Sequence, residues 1–126
     1  MSFENRIFKS KTTGAINAEG CVAWLDDMKD KVLSSNEGDT TPWVHVTDAR
    51  GWEGGTSDSW EAIDDITTWI YTHNCIFNAS VIDKKMYQWA GETHLNNKYY
   101  TVFYDYDEAY QACLHKLAEV HNEQDK

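Results

Sequence analysis

Apolar positions recur along this chain with two different periods, and the switching between them predicts alternating strands and helices. From Glu4 to Ile16 the residues are β-leaning, with Ile7, Thr12, Thr13 and Ile16 around a turn-permissive Gly14. This reads as one long strand or a strand with a bend. Asn17 is suited to cap a helix, and Ala18, Cys21, Val22, Leu25, Met28 and Val32 then recur at three- and four-residue steps. That spacing marks one helical face, with Asp26, Asp27, Asp30 and Lys31 opposite. The polar string from Ser34 to Thr41, closed by Pro42, is a loop.

Trp43 to Thr47 reads as a buried strand, and Asp48 to Gly55 as an Asp-led glycine loop. Asp58 followed by Glu61 fits a capping box, with Thr56 and Ser57 as alternative caps. The helix it opens has a stripe of Trp60, Ile63, Ile66, Thr67 and Ile70, with Ala62 and Trp69 on its shoulder and an end near His73-Asn74. Cys75 to Ile82 is a largely apolar run of the kind found inside a sheet. Lys84 to Ala90 predicts a short helix ended by Gly91, Asn96-Asn97 a turn, and Tyr99 to Tyr104 a strand. Asp105 with Glu108 forms a second capping box, opening a helix on Ala109, Cys113, Leu117 and Val120, and residues 121–126 are expected to fray.

The predicted order is therefore β-α-β-α-β-(α)-β-α. Alternation of this kind implies an α/β domain with a mostly parallel sheet of four or five strands, right-handed crossovers and flanking helices, the first strand being free to run antiparallel. At 126 residues the expectation is one domain spanning 1–126.

Charge narrows the partners. The net charge is −10, and half of that excess lies between Asp48 and Asp65, where six acids face Arg50 alone. Nucleic acid and anionic membrane need basic surfaces, so neither is expected. No apolar run is long enough for a membrane span, and the opening residues lack a signal-peptide core. Cys21, Cys75 and Cys113 are odd in number and lack CxxC spacing, which favours buried thiols and a cytoplasmic setting.

Candidate chemistry is sparse. GWEGG, residues 51–55, is neither a P-loop nor GxGxxG and offers no Lys for a phosphate. Ser57 and Ser59 stand at a helix start without a GxSxG elbow. The five histidines show no metal-ligand spacing, and His45, in a strand centre, reads as structural. Neither a metal nor a cofactor is expected. The aromatic content is the excess that invites a function, because such side chains are favoured at interfaces and in pockets. Trp52 stands out, since a glycine loop gives a Trp little structural reason to be there.

The strand ending in Asp48, the polar loop, the helix at Ser57 and the closing Phe103-Tyr104-Asp105-x-Asp107-Glu108-Ala109 resemble the STAS domain, and within it the SpoIIAA-like branch of short stand-alone bacterial proteins. The resemblance implies a βα superhelix without catalytic chemistry, serving as a phosphoswitch partner of anti-sigma-factor kinases, a regulatory module or a ligand sensor. The family's regulated Ser or Thr lies in an Asp-Ser-Ser/Thr-Gly motif before the second helix. Here that region reads Gly54-Gly55-Thr56-Ser57-Asp58-Ser59, which departs from the motif and leaves Ser57 or Thr56 in the corresponding place. The fold is also similar to Sec14-type lipid-binding domains. Two functions follow as expectations. The first is a non-enzymatic regulatory or protein-interaction module using the segment from Asp48 to Ser59. The second is a carrier or sensor of a small apolar, lipid-like ligand, or a paired subunit, using the aromatic residues. The expected binding residues are Asp48, Arg50, Trp52, Trp60 and Trp89.

Overall fold

The computed structural model describes residues 2–34, 41–55, 58–84 and 101–124. The segment from Glu4 to Ile16, expected as one long strand or a strand with a bend, gives the strand β2 (Ile7–Ile16), which forms a hairpin with β1 (Ser2–Glu4), paired antiparallel with Glu4 opposite Ile7. Its two-residue turn places Asn5 and Arg6 both at positive φ, 54° and 65°. That is the turn whose twist matches paired strands, and Asn is suited to it while Arg is not. Helix α1 (Ala18–Ser34) follows, then β3 (Trp43–Gly55), α2 (Ser59–Thr72), β4 (Cys75–Val81), β5 (Thr101–Phe103) and α3 (Tyr106–Gln124). The sheet order is β1-β2-β3-β4-β5, and every pair after the first is parallel. The short helix and turn expected over 84–97, and Trp89 with them, fall almost wholly outside the described residues.

Two layers of apolar side chains cover the sheet. On one face Val44, Val46, Ala79 and Val81 pack with Ala109, Cys113 and Leu117 of α3. On the other, Phe8, Trp43 and Cys75 pack with Leu25, Met28 and Val32 of α1 and Ile70 of α2. This division follows from the sequential strand order. Consecutive right-handed crossovers put α1 and α2 on the same side, and the helix after the last strand covers the other.

The helix faces agree with their periodicity, with one exception. Cys21, Leu25, Met28 and Val32 are buried, but Val22 is 55% exposed. It stands one residue, about 100°, away from that stripe. In α2, Ile70 is buried and Ile63 and Ile66 are half-buried, whereas Glu61, Asp64 and Asp65 are exposed. Helix α3 runs to Gln124, further than expected, into the segment expected to fray. The three cysteines are free and buried.

Capping is mixed. The backbone N–H of Gly20 donates to Asn17 Oδ1 at 2.8 Å, and that of Glu108 to Asp105 Oδ1 at 3.1 Å. Asp58, by contrast, has helical dihedrals and makes no side-chain cap, which corrects the capping box read at α2. Asp105→Ala is therefore expected to lower stability by about 1 kcal/mol in urea unfolding. An unchanged midpoint would mean that water replaces that cap without cost.

The largest correction concerns the glycine loop. Residues 48–55 continue β3, pairing with β2 from Lys11–Asp48 to Ile16–Gly55. Gly14 sits at φ 71° in the facing strand, and a Cβ on Gly51 would come within 3.0 Å of Thr13 Cγ2. The glycines thus serve close strand approach and local backbone conformation.

A polar-floored cavity between the helices and the sheet

Beneath the amino-terminal halves of α1 and α2 lies a cavity of about 410 Å³. It exists because several of the residues facing it are small. Gly20 and Cys21 of α1 and Ala49 and Ser80 of the sheet stand where Met28, Val32, Trp43 and Cys75 fill the same layer further along. Exposed Lys11, Thr13, Ala15 and Asn17 form its rim. Trp52, Ile63, Ile66 and Ile82 give it apolar walls.

Its floor is polar. Phe8, His45 and Asn78 are register partners across β2, β3 and β4, and Ser10, Thr47 and Ser80 make the next row. His45 and Asn78 are buried, 4% and 2% exposed. Two strand irregularities build this surface. In β4, Trp43 pairs with Cys75 but Val44 pairs with Phe77, so Ile76 is an extra residue. Cys75 belongs to the α1–α2 side, while Ile76 and Phe77 both pack toward α3. Strict alternation from Cys75 would turn Asn78 and Ser80 away; the bulge turns them into the cavity. In β3, three residues of β2 (Lys11 to Thr13) are matched by four (Asp48 to Gly51). That bulge lets Ala49 and Trp52, an odd number apart, line the same cavity.

Five buried side-chain atoms lack a protein partner among the described residues: Trp24 Nε1, His45 Nδ1, Thr47 Oγ1, and both Oδ1 and Nδ2 of Asn78. All belong to cavity-lining residues. Ser10 Oγ and His45 Nε2 are 2.9 Å apart. If Ser10 donates, Nδ1 carries the proton and is a donor; if it accepts, Nδ1 is an acceptor. Burial pushes the imidazole down to about 4, with the nearby Asn78 amide opposing that only in part although it is not in hydrogen-bonding geometry. The floor is therefore uncharged at neutral pH. A buried donor or acceptor left unmet costs about 1–3 kcal/mol, so this concentration requires a reason.

The residues expected to form a site separate. Trp52 is 6% exposed, a wall of the cavity and not a residue on an open loop. Asp48 and Arg50 pair with each other: Arg50 Nε and a terminal nitrogen donate to the two carboxylate oxygens at 2.9 and 2.8 Å. Asp48 lies beside Lys9 and Tyr106, away from the cavity. The guanidinium holds the Asp48 carboxyl below the usual carboxylate range. Trp60 falls in the first turn of α2, but its side chain, like Thr56, Ser57 and Trp89, lies outside the described residues.

His45, Thr47, Asn78 and Trp24 were not singled out from the sequence as binding residues. A signal for three of them was present. Ser10/Thr12, His45/Thr47 and Asn78/Ser80 are polar pairs at period two, which marks a polar face on each of three strands. Among the described residues no cluster of His, Cys, Asp and Glu is arranged for a metal, and no helix is long and apolar enough to cross a membrane. No protein-family model, no curated protein and no solved structure matches the chain.

Proposed function

We propose that this α/β domain binds a small molecule in the cavity between α1, α2 and the sheet, as a non-catalytic sensor or carrier. The observation that carries this reading is the coincidence of a ligand-sized volume with four lining residues that together hold five unmet buried polar atoms. Ligand sites are typically mostly apolar concavities of about 300–1,000 Å³ with a few convergent polar groups. The cavity also sits toward the carboxyl ends of β2, β3 and β4, where α/β sheets place ligands. The sequential order of parallel strands supports a SpoIIAA-like arrangement for this fold. The polar floor favours an amphipathic ligand over the wholly apolar one expected from the aromatic content.

The protein-interaction reading loses its structural basis at residues 48–55, which are a paired strand with its Trp buried. Catalysis is not favoured either. The Ser10–His45 pair has no carboxylate on Nδ1 to orient the ring, among the described residues.

A fragment library screened by NMR tests the proposal. Saturable shifts are expected at Trp24, His45, Trp52 and Asn78. Cys21→Phe, which fills the cavity from α1, should abolish them while the melting temperature is kept or raised. Shifts confined to the exposed acidic face of α2, or unaffected by Cys21→Phe, would reject the cavity as the site.

A further inference from the structure

We propose that the ligand is an uncharged planar nitrogen heterocycle or aromatic carboxamide, held by an amide-like edge that pairs with Asn78. This rests on the small-molecule reading above and specifies its chemistry.

Asn78 carries the argument. The residue is 2% exposed, and neither its carbonyl oxygen nor its amide nitrogen has a partner among the described residues. An Asn amide presents one acceptor and a donor side by side, and its complement is a group with an adjacent donor and acceptor. Lactams, carboxamides and the amino edges of purines have that arrangement; Asn pairs with adenine bidentately in the same way. A hydrocarbon chain would leave both Asn78 groups desolvated and unmet.

The neighbours extend the match. His45 is the register partner of Asn78 on the adjacent strand, about 5 Å away in backbone spacing. Its Nδ1 offers one more bond of either sense, since Ser10 can hold either tautomer. Thr47 Oγ1 adds a donor and acceptor two residues along β3. From the helix side, Trp24 Nε1 supplies a donor and therefore calls for an acceptor on another edge of the ligand. Polar groups on more than one edge, with apolar walls from Trp52, Ile63, Ile66 and Ile82, fit a flat heteroaromatic ring.

Charge excludes other classes. Among the described cavity-lining residues Lys11, on the rim, is the sole formal charge at neutral pH. Among the described floor residues a carboxylate or phosphate would find no cation, and an ammonium ligand no carboxylate. Moving either into the floor would cost far more than the unmet bonds recover.

The test uses matched pairs of probes on the full chain, by NMR titration. Nicotinamide is compared with methyl nicotinate, adenine with unsubstituted purine, and decanoate serves as the lipid-like probe. Nicotinamide or adenine should bind at least about tenfold more tightly than its matched control, shifting the Asn78 side-chain amide and the Trp24 indole N–H. Asn78→Leu should remove that discrimination while leaving the protein folded by circular dichroism; Asn78→Gln, a second variant, guards against a folding failure and should weaken binding without reversing the preference. Equal affinity within both pairs, or binding of decanoate alone, would overturn the amide-edge assignment and leave the cavity reading standing. Failure of every probe, decanoate included, to shift any lining residue would overturn both.

Discussion

Trp43→Ala is expected to destabilise the protein by about 3–5 kcal/mol, a large share of the 5–15 kcal/mol typical of a domain. The indole is fully buried at the start of β3. It packs edge-on against Phe3 and tilted against Phe8, with ring centroids 5.7 and 6.2 Å away. Its Nε1–H donates to the carbonyl of His73 at 2.6 Å, tying the end of α2 to the sheet. Truncation therefore opens a void in the close-packed half of the α1–α2 layer and removes a hydrogen bond at once. Trp43→Phe separates the two effects, because it keeps most of the apolar volume and loses the bond. Urea unfolding should rank the variants Trp43→Ala, then Trp43→Phe, then wild type. Trp52→Ala provides the contrast. That ring borders the cavity on one side, so it should cost more than 1 kcal/mol yet clearly less than Trp43→Ala, since fewer packed atoms lose contact. Equal costs for the two Trp→Ala variants would mean that Trp52 is packed on every side and that the cavity beside it does not exist in solution.

Acidification should remove about 3 kcal/mol of stability between pH 6.5 and pH 4 through His45 alone. The sign follows from proton uptake. Burial holds the folded-state imidazole at about 4, below its ordinary 6.5. Between those values the unfolded chain binds a proton that the native state refuses, so falling pH favours unfolding. Stability from this source is complete above about pH 6.5 and is lost on descent to about pH 4, at up to 1.4 kcal/mol per pH unit. Asp48 acts lower: its carboxyl is held down by Arg50, so its contribution is present above the ordinary carboxylate range and fades only beneath it. His45→Gln removes the titration and keeps a polar side chain beside Ser10. Urea midpoints of wild type and His45→Gln should diverge between pH 7.5 and 4.5, with the wild type falling more steeply. Parallel profiles would show that His45 is hydrated and charged in the folded protein.

The burial of Trp52 illustrates how local composition misleads. GWEGG has the residues of a loop, and in an isolated segment their conformational freedom would favour one. In the folded chain those residues pair along β2, and Gly51 leaves room for Thr13, whose Cγ2 would lie 3.0 Å from a Cβ there. The same glycines thus extend a strand and bring a Trp beneath two helices. Propensity describes what a segment does alone; the pairing partner decides what it does in a sheet.

Much of the architecture was legible in the chain. The 3.6-residue stripes of α1, α2 and α3, the Asn17 and Asp105 caps and the apolar strands β3 and β4 all follow from interactions within a few residues, which sequence spacing records directly. The burial of His45, Thr47, Asn78 and Ser80 in one surface did not follow. Side-chain facing in a strand has period two, so a single extra residue reverses everything after it. The bulges at Ile76 and between Asp48 and Gly51 are set by how three strands fit together. Spacing alone assigns Asn78 to the wrong face from Cys75, and only the strands' mutual register turns its amide, with the His45 imidazole, toward the space left by Gly20, Cys21 and Ala49.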